Sequence, residues 1–349
     1  MVYADGIPTQ TALDRHYAEA SRYVYAQRGG AESAHDARRL AITARDIARL
    51  VPDRAASVLD VGCASGRLLA ELRSLGFASL RGIDPSSDVA RAARRLHDVD
   101  VAPATLATVA ARPDRYDLVI LVGVLEHLAD VRGALGHVET LLAPGGAAYF
   151  EVPDVTGFGA RPNAPFQELS VEHVNFFGPA SLARALGSAG MGCDWLERNM
   201  RVQAQRTEVS NLTALARRGP GATKRDGESE HAMRRYIAQS ASEERELLAR
   251  AARIIAAHGR IIVWGAGTLT QRLLAAGLPK AGISAIVDSN PRYAGARVGA
   301  VPVISPTELT RRAEPVLILS RVFYEEIAEQ AAALVGRGRI VKNLFEFGE

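Results

Sequence analysis

The stretch Val58-Leu-Asp-Val-Gly-Cys-Ala-Ser-Gly-Arg-Leu-Leu69 decides the fold. Val58 to Val61 reads as a short buried strand, Gly62, Ala64 and Gly66 as a turn of small residues, and Arg67 to Leu72 as the opening of an amphipathic helix. Small residues in such a turn let the backbone approach a ligand that a side chain would hold off. Asp60, at the strand's end, is placed to accept hydrogen bonds from a ligand amine or from water. Many α/β folds bind nucleotides with a glycine turn of this kind, so the function has to come from the segments that follow.

Three of them fall in order. Leu80-Arg-Gly-Ile-Asp84 reads as the next strand and ends in a carboxylate 24 residues after Asp60 (84 − 60). A carboxylate there can accept both hydroxyls of a ribose. Tyr116 to Val122 is a third strand, followed by Gly123-Val-Leu-Glu-His-Leu128, and Leu141-Leu-Ala-Pro-Gly-Gly146 closes a helix before the strand Ala147 to Val152. Alternating strands and helices over residues 51 to 152 predict a doubly wound, mostly parallel sheet with its ligand beyond the carboxyl ends of the strands. The set resembles a class I S-adenosylmethionine-dependent methyltransferase over residues 50 to 200. That resemblance implies S-adenosylmethionine as cofactor, held by Asp60, Gly62, Cys63, Ala64, Gly66, Asp84, Pro85, Thr105, Leu106 and Val122. At the place where the family often carries an acid for the adenine amine, Val101-Ala-Pro-Ala-Thr-Leu106 offers Thr105 instead.

Composition narrows the class further. The 349 residues suit two domains, with 48% hydrophobic and 23% charged residues, ordinary for a globular chain. Net charge is +3, and only three of the 42 basic residues are lysine (Lys224, Lys280, Lys342), with no basic run interleaved with aromatics. This predicts no nucleic-acid surface. Cys63 and Cys193, the only cysteines, exclude a disulfide framework and a cysteine-rich zinc site, and no metal is expected. With no apolar run of transmembrane length and no leader pattern, the expectation is a cytoplasmic enzyme acting on a small molecule, its oligomeric state open.

Residues 1 to 50 form a polar lead-in bearing Tyr3, Thr9, His16, Tyr17, Tyr23 and Tyr25, then a helix over Ala31 to Leu50. The resemblance implies that this segment folds over the cofactor, while irregularly spaced tyrosines are usually packing residues. The catalytic question turns on two Glu-His pairs, Glu126-His127 and Glu172-His173. Methyl transfer from a sulfonium needs an aligned nucleophile and a base for its proton, and histidine titrates near neutrality. A neighbouring glutamate can fix the tautomer. The segment Val171-Glu-His-Val-Asn-Phe-Phe177 with Gly178-Pro-Ala-Ser-Leu182 resembles the catalytic segment of the sugar C-methyltransferases, which act on nucleotide-linked deoxysugars. The resemblance implies His173 as base with Glu172 beside it, His127 as a second histidine, and Asn175 and Phe177 near the acceptor. Ser170 stands where that family has a tyrosine, which leaves O- or N-methylation open, and the family's usual N-terminal zinc domain is not expected here.

Arg217 to Gly227, rich in Gly, Pro and charge, reads as a linker, and Glu230 to His258 as a long helix. Arg260 to Gln271 repeats strand, glycine turn and helix start; Ile283 to Asp288 is a strand ending in acid, with Ser289-Asn-Pro291 after it; Pro302 to Leu309 and a strand Pro315 to Ser320 follow. The pattern predicts a second, smaller Rossmann-like domain and resembles the C-terminal domain of the same C-methyltransferases, in which it helps bind the donor nucleotide. Gly265, Gly267 and Asp288 are the candidate contacts, since amides at a helix N-terminus suit a diphosphate. The expected division is 1–50 (lead-in), 51–216 (methyltransferase domain), 217–258 (linker and helix) and 259–349 (substrate-binding domain). Two other readings stand beside it: a nicotinamide-dependent oxidoreductase using the second glycine turn, against which Thr270 replaces the third glycine, and a non-catalytic binding module.

Overall fold

The computed structural model describes residues 1–19, 32–112, 114–160, 164–170, 172–204, 207–290, 293, 295–341 and 344–345. Tyr23, Tyr25, Val171 and Pro291 of the sequence reading lie outside the described residues. The chain divides into two compact units, Met1–Phe158 with Leu169–Gln203 and Glu208–Arg234, and Gly159–Glu168 with Ala204–Thr207 and Arg235–Glu349.

The first unit opens with β1 (Val2–Tyr3), α1 (Gln10–Glu19) and α2 (Ala34–Leu50). The helix expected from Ala31 starts at Ala34, because Ser33 takes up the N-cap and its hydroxyl accepts the Asp36 amide at 3.0 Å. Then follow β2 (Ser57–Val61), α3 (Arg67–Ser74), β3 (Ser79–Asp84), α4 (Ser87–His97), β4 (Val101–Pro103), α5 (Leu106–Ala110) and β5 (Tyr116–Val122). After these come α6 (Val131–Leu141), β6 (Leu142–Pro153), β7 (Asn175–Phe176), α7 (Pro179–Ser188), β8 (Met191–Ala204) and β9 (Thr207–Arg218).

Seven strands form one sheet in the order β4-β3-β2-β5-β6-β9-β8. β4 through β6 run parallel and β9 pairs antiparallel with β6. The chain lays β3 and β4 on one side of β2, then returns to place β5 on the other, so the switch in strand order falls between β2 and β5. That is where an open α/β sheet leaves a crevice. Leu118 to Leu121 of β5 have no exposed surface, the burial on both faces that parallel strands need.

The turn after β2 is fixed by close packing as much as by sequence. Gly62, Ala64 and Gly66 all take positive φ, at 68°, 46° and 77°. A Cβ on Gly66 would stand 2.3 Å from the Val99 side chain, and one on Gly82 in β3 would meet the Cys63 sulfur at 2.6 Å. Cys63 is therefore a small packing residue of the turn, consistent with its size.

The second unit contains most of α8 (Ser229–His258), then β10 (Ile261–Trp264), α9 (Thr268–Ala275), β11 (Ile283–Val287), β12 (Arg297–Val298), β13 (Val301–Ile304), β14 (Val316–Ile318), α10 (Tyr324–Val335) and β15 (Ile340–Val341). Its six-stranded sheet has the order β12-β13-β11-β10-β14-β15, parallel except for β12. Leu247, Ala251 and Ile255 of α8 pack with Ile261 and Val263 of β10 in one apolar cluster, the stripe that the helix's periodicity predicts. This is the second Rossmann-like unit expected.

Gly66→Ala combines a left-handed backbone with a clash against Val99. It should cost about 1–3 kcal/mol, read as a lower urea midpoint at unchanged slope, whereas Gly145→Ala, whose added carbon meets nothing within 4 Å, should cost less.

Candidate active site

A cavity opens in the first unit at the carboxyl ends of β2, β3 and β5. Its wall contains Asp60, Gly62, Cys63, Ala64, Asp84, Pro85, Thr105, Leu106 and Val122, nine of the ten residues expected to hold a cofactor. Gly66 lies one position deeper, as the N-cap of α3. The structure also gives two of these groups a local role that the sequence reading did not include. Asp84 accepts the Ala64 amide at 3.2 Å and the Ser86 amide at 3.0 Å, so it staples the turn. The Thr105 hydroxyl accepts the Thr108 amide at 3.3 Å and caps α5.

The opposite wall comes from α1 and the start of α2: Gln10, Asp14, Tyr17, Glu32, Asp36, Arg39 and Leu40. Of these only Tyr17 was singled out by sequence, and as a packing residue. The signal that was available is the pair of acids at the helix start, Glu32 before α2 and Asp36 in its first turn. α2 is held to the sheet by Glu151, 2% exposed, which accepts from Thr43 at 2.9 Å, Arg39 at 3.2 Å, Arg201 at 3.3 Å and Asn211 at 3.4 Å. Among the described residues, five carboxylic acids face the cavity (Asp14, Glu32, Asp36, Asp60 and Asp84) against a single guanidinium, that of Arg39. Burial, reinforced by the neighbouring Asp84, pushes the Asp60 carboxyl well above its ordinary range, and burial raises Asp84 as well. Such a lining favours a cationic ligand.

Beyond Val122 the chain makes a 3-10 turn, Leu125–His127, and presents the first Glu-His pair. The two pairs, 46 residues apart in sequence (173 − 127), come together: the rings of His127 and His173 lie 4.8 Å apart, edge to face. His127 Nδ1 is 2.9 Å from the backbone carbonyl of Glu172 and 2.8 Å from the Tyr17 hydroxyl. A carbonyl only accepts, so neutral His127 carries its hydrogen on Nδ1 and presents the lone pair of Nε2. Nε2 lies 3.9 Å from Glu126, whose carboxyl is buried and therefore raised above its ordinary range. The Glu172 carboxylate, expected to orient His173, also pairs with His16 Nε2 at 3.5 Å, and its backbone carbonyl accepts from His127 Nδ1.

Of the other expected contacts, His127 lines the cavity, whereas Asn175 uses its amide to bond the Leu128 carbonyl at 2.7 Å. Phe177 is a correction: it is fully buried in the hydrophobic core with Leu125 and Leu182, just past β7, where its carbonyl accepts the Val155 amide at 2.9 Å. Tyr3 is 70% exposed and forms no part of the cavity wall. In the second unit, Asp288 repeats the Asp84 arrangement, accepting the Ala266 amide at 2.7 Å and the Asn290 amide at 2.8 Å. Gly265 is left-handed at φ 110°, and Gly267 caps α9 with open space where a side chain would stand. The triad Glu126, His127 and His173 also has ligand atoms within 4.8 Å of one another, which the sequence reading, expecting no metal, did not anticipate.

Residues 33–193 match the family model described as a methyltransferase domain, and residues 200–344 match the one described as a C-methyltransferase C-terminal domain. The ubiquinone biosynthesis O-methyltransferase of Azotobacter vinelandii is 36% identical over 100 residues, 27% of this chain and 42% of that protein. The corresponding protein of Methylocella silvestris is 27% identical over 186 residues, 46% of this chain and 70% of its own. The chain thus spans about two fifths of the length of the first of these relatives. Among solved structures, the 1,6-didemethyltoxoflavin-N1-methyltransferase of Burkholderia thailandensis aligns with a TM-score of 0.47 at 18% identity, covering 62% of this chain and 94% of that one.

The raised carboxyl of Glu126 has a consequence for stability. The folded chain holds this proton more tightly than the unfolded chain, whose carboxyl titrates near 4.3. Stability should therefore fall as pH rises from about 4 through the raised value. Glu126→Gln should flatten that fall, measured as urea midpoints across pH; an unchanged slope would place the cost elsewhere.

Proposed function

The chain carries an S-adenosylmethionine-dependent methyltransferase domain followed by a C-methyltransferase C-terminal domain, and from that premise we propose that it is an enzyme methylating a carbon next to a ketone in a nucleotide-linked sugar. The observation that carries the reading is the meeting of His127, His173 and Tyr17 beside the acid-lined cavity. A cationic sulfonium and its ammonium group suit the carboxylates of that cavity, with Asp60 in its ionised form as partner.

His173, half-buried at the end of the 172–173 loop, is the base: it removes the proton next to the ketone and becomes imidazolium. The carbanion attacks the methyl carbon, the new carbon–carbon bond forms as the methyl–sulfur bond breaks, and S-adenosylhomocysteine leaves. Ser170 holds the position where the resembling family has a tyrosine, and Tyr17 supplies a phenol from the other wall. The His127 Nδ1–H can be shared by the Glu172 carbonyl and the Tyr17 oxygen, which keeps the phenol beside the two imidazoles. The second unit would take the nucleotide, with the Gly265–Gly267 turn at the start of α9 offering amides to its diphosphate.

Transfer to oxygen is the second reading, favoured by the O-methyltransferase relatives that match part of the chain. In that case the same histidine deprotonates a hydroxyl.

His173→Asn should lower the transfer rate on the order of 10²–10⁴-fold while the Kd for S-adenosylmethionine stays within about twofold; wild-type turnover would remove His173 from the chemistry. With S-adenosylhomocysteine bound, the wild type should exchange the proton next to the ketone with deuterated water, a signal absent if the acceptor atom is oxygen. Binding of S-adenosylmethionine should weaken as pH falls through the raised value of Asp60, and Asp60→Asn should bind weakly without that pH dependence.

A further inference from the structure

The same corner of the first unit is built like a metal site. Glu126, His127 and His173 each offer one ligand atom, and the three atoms lie within 4.8 Å of one another. Around a zinc ion, with bonds of about 2.0–2.1 Å, tetrahedral neighbours stand about 3.4 Å apart. The nitrogen and oxygen atoms therefore have to close by little more than an ångström, a movement that rotation of the His173 and Glu126 side chains supplies. Two further observations point to a ligand. Glu126 is 3% exposed, and its Oε2 has no hydrogen-bond partner among the described residues, a state that costs free energy until a proton or a cation meets it. The Glu172 carbonyl fixes the hydrogen of His127 on Nδ1, which leaves Nε2 to coordinate; a ring N–H bonded to a carbonyl is how metal-bound histidines are oriented.

We infer that Glu126, His127 and His173 form a site for one divalent cation of the zinc and cobalt class, and that its occupancy reversibly switches off methyl transfer. Two imidazoles and one carboxylate select such borderline ions over magnesium or calcium, which prefer oxygen ligands. The cation takes the lone pair of His127 Nε2 and a ring nitrogen of His173, so His173 can no longer receive the acceptor's proton. The switching effect rests on the proposed role of His173; the binding does not.

The test is a titration of the full chain, freed of metal with EDTA, with cobalt(II) followed by its visible d–d absorption. One equivalent should bind, and binding should weaken by about tenfold or more in Glu126→Gln and in His173→Asn, with both variants checked for folding by circular dichroism. His173→Asn changes a half-buried loop residue, so it guards against loss of fold in the buried position. The absence of a band, or equal affinity in both folded variants, overturns the site. Zinc should also lower the methyl-transfer rate in proportion to occupancy, with EDTA restoring it; full activity at saturating zinc overturns the switch. Failure of the wild type to methylate any nucleotide sugar counts against the proposed function alone, because the cobalt band reads the site without turnover.

Discussion

The first unit depends on a turn that the backbone would not adopt unaided. Three positive φ angles within five residues, one of them at Ala64, are held because Asp84 takes the Ala64 amide on one carboxylate oxygen and the Ser86 amide on the other. A left-handed non-glycine residue of this kind persists only when its surroundings over-determine it. The second unit repeats the device, Asp288 bonding the amides of Ala266 and Asn290. In both units the acid that ends the second strand secures the glycine turn of the first, and it keeps lone pairs to offer a ribose, since each carboxylate oxygen can accept more than once.

This staple has an electrostatic price. Asp84 stands close enough to Asp60 to help raise it, and both belong to a wall with three more acids. Elsewhere in the unit a buried carboxylate is balanced by donors. Glu151 is surrounded by Arg39, Arg201, Thr43 and Asn211, which tie α2 to the sheet. One carboxylate is thus satisfied inside the protein, while Asp60 is placed to be satisfied by a ligand. A buried charge with donors is scaffold; one turned to a cavity is a candidate for binding.

The parts of this architecture legible in sequence were those with local signatures. The strand ends at Asp60 and Asp84, the small-residue turn, and the long apolar run of β5 follow from short-range rules, and so does the second glycine turn at Gly265. What escaped was long-range. Nothing near Tyr17 announces that it meets His127, 110 residues away. Nor does the sequence announce that Glu172 reaches His16 with its carboxylate and His127 with its carbonyl. Phe177 looked like a ligand contact because it follows the histidine motif, but the segment bridges Asp154 and packs Phe177 into the core. The two-residue strands β12 and β15 carry too little pattern to be read at all.

The carbonyl that aims His127 belongs to the residue immediately before His173. Both imidazoles are therefore referenced to a single peptide unit, and any shift of that peptide re-aims the pair together. One ring cannot be re-aimed through that peptide while the other is spared. Any change in the space the two rings share has to arrive through the walls that face them.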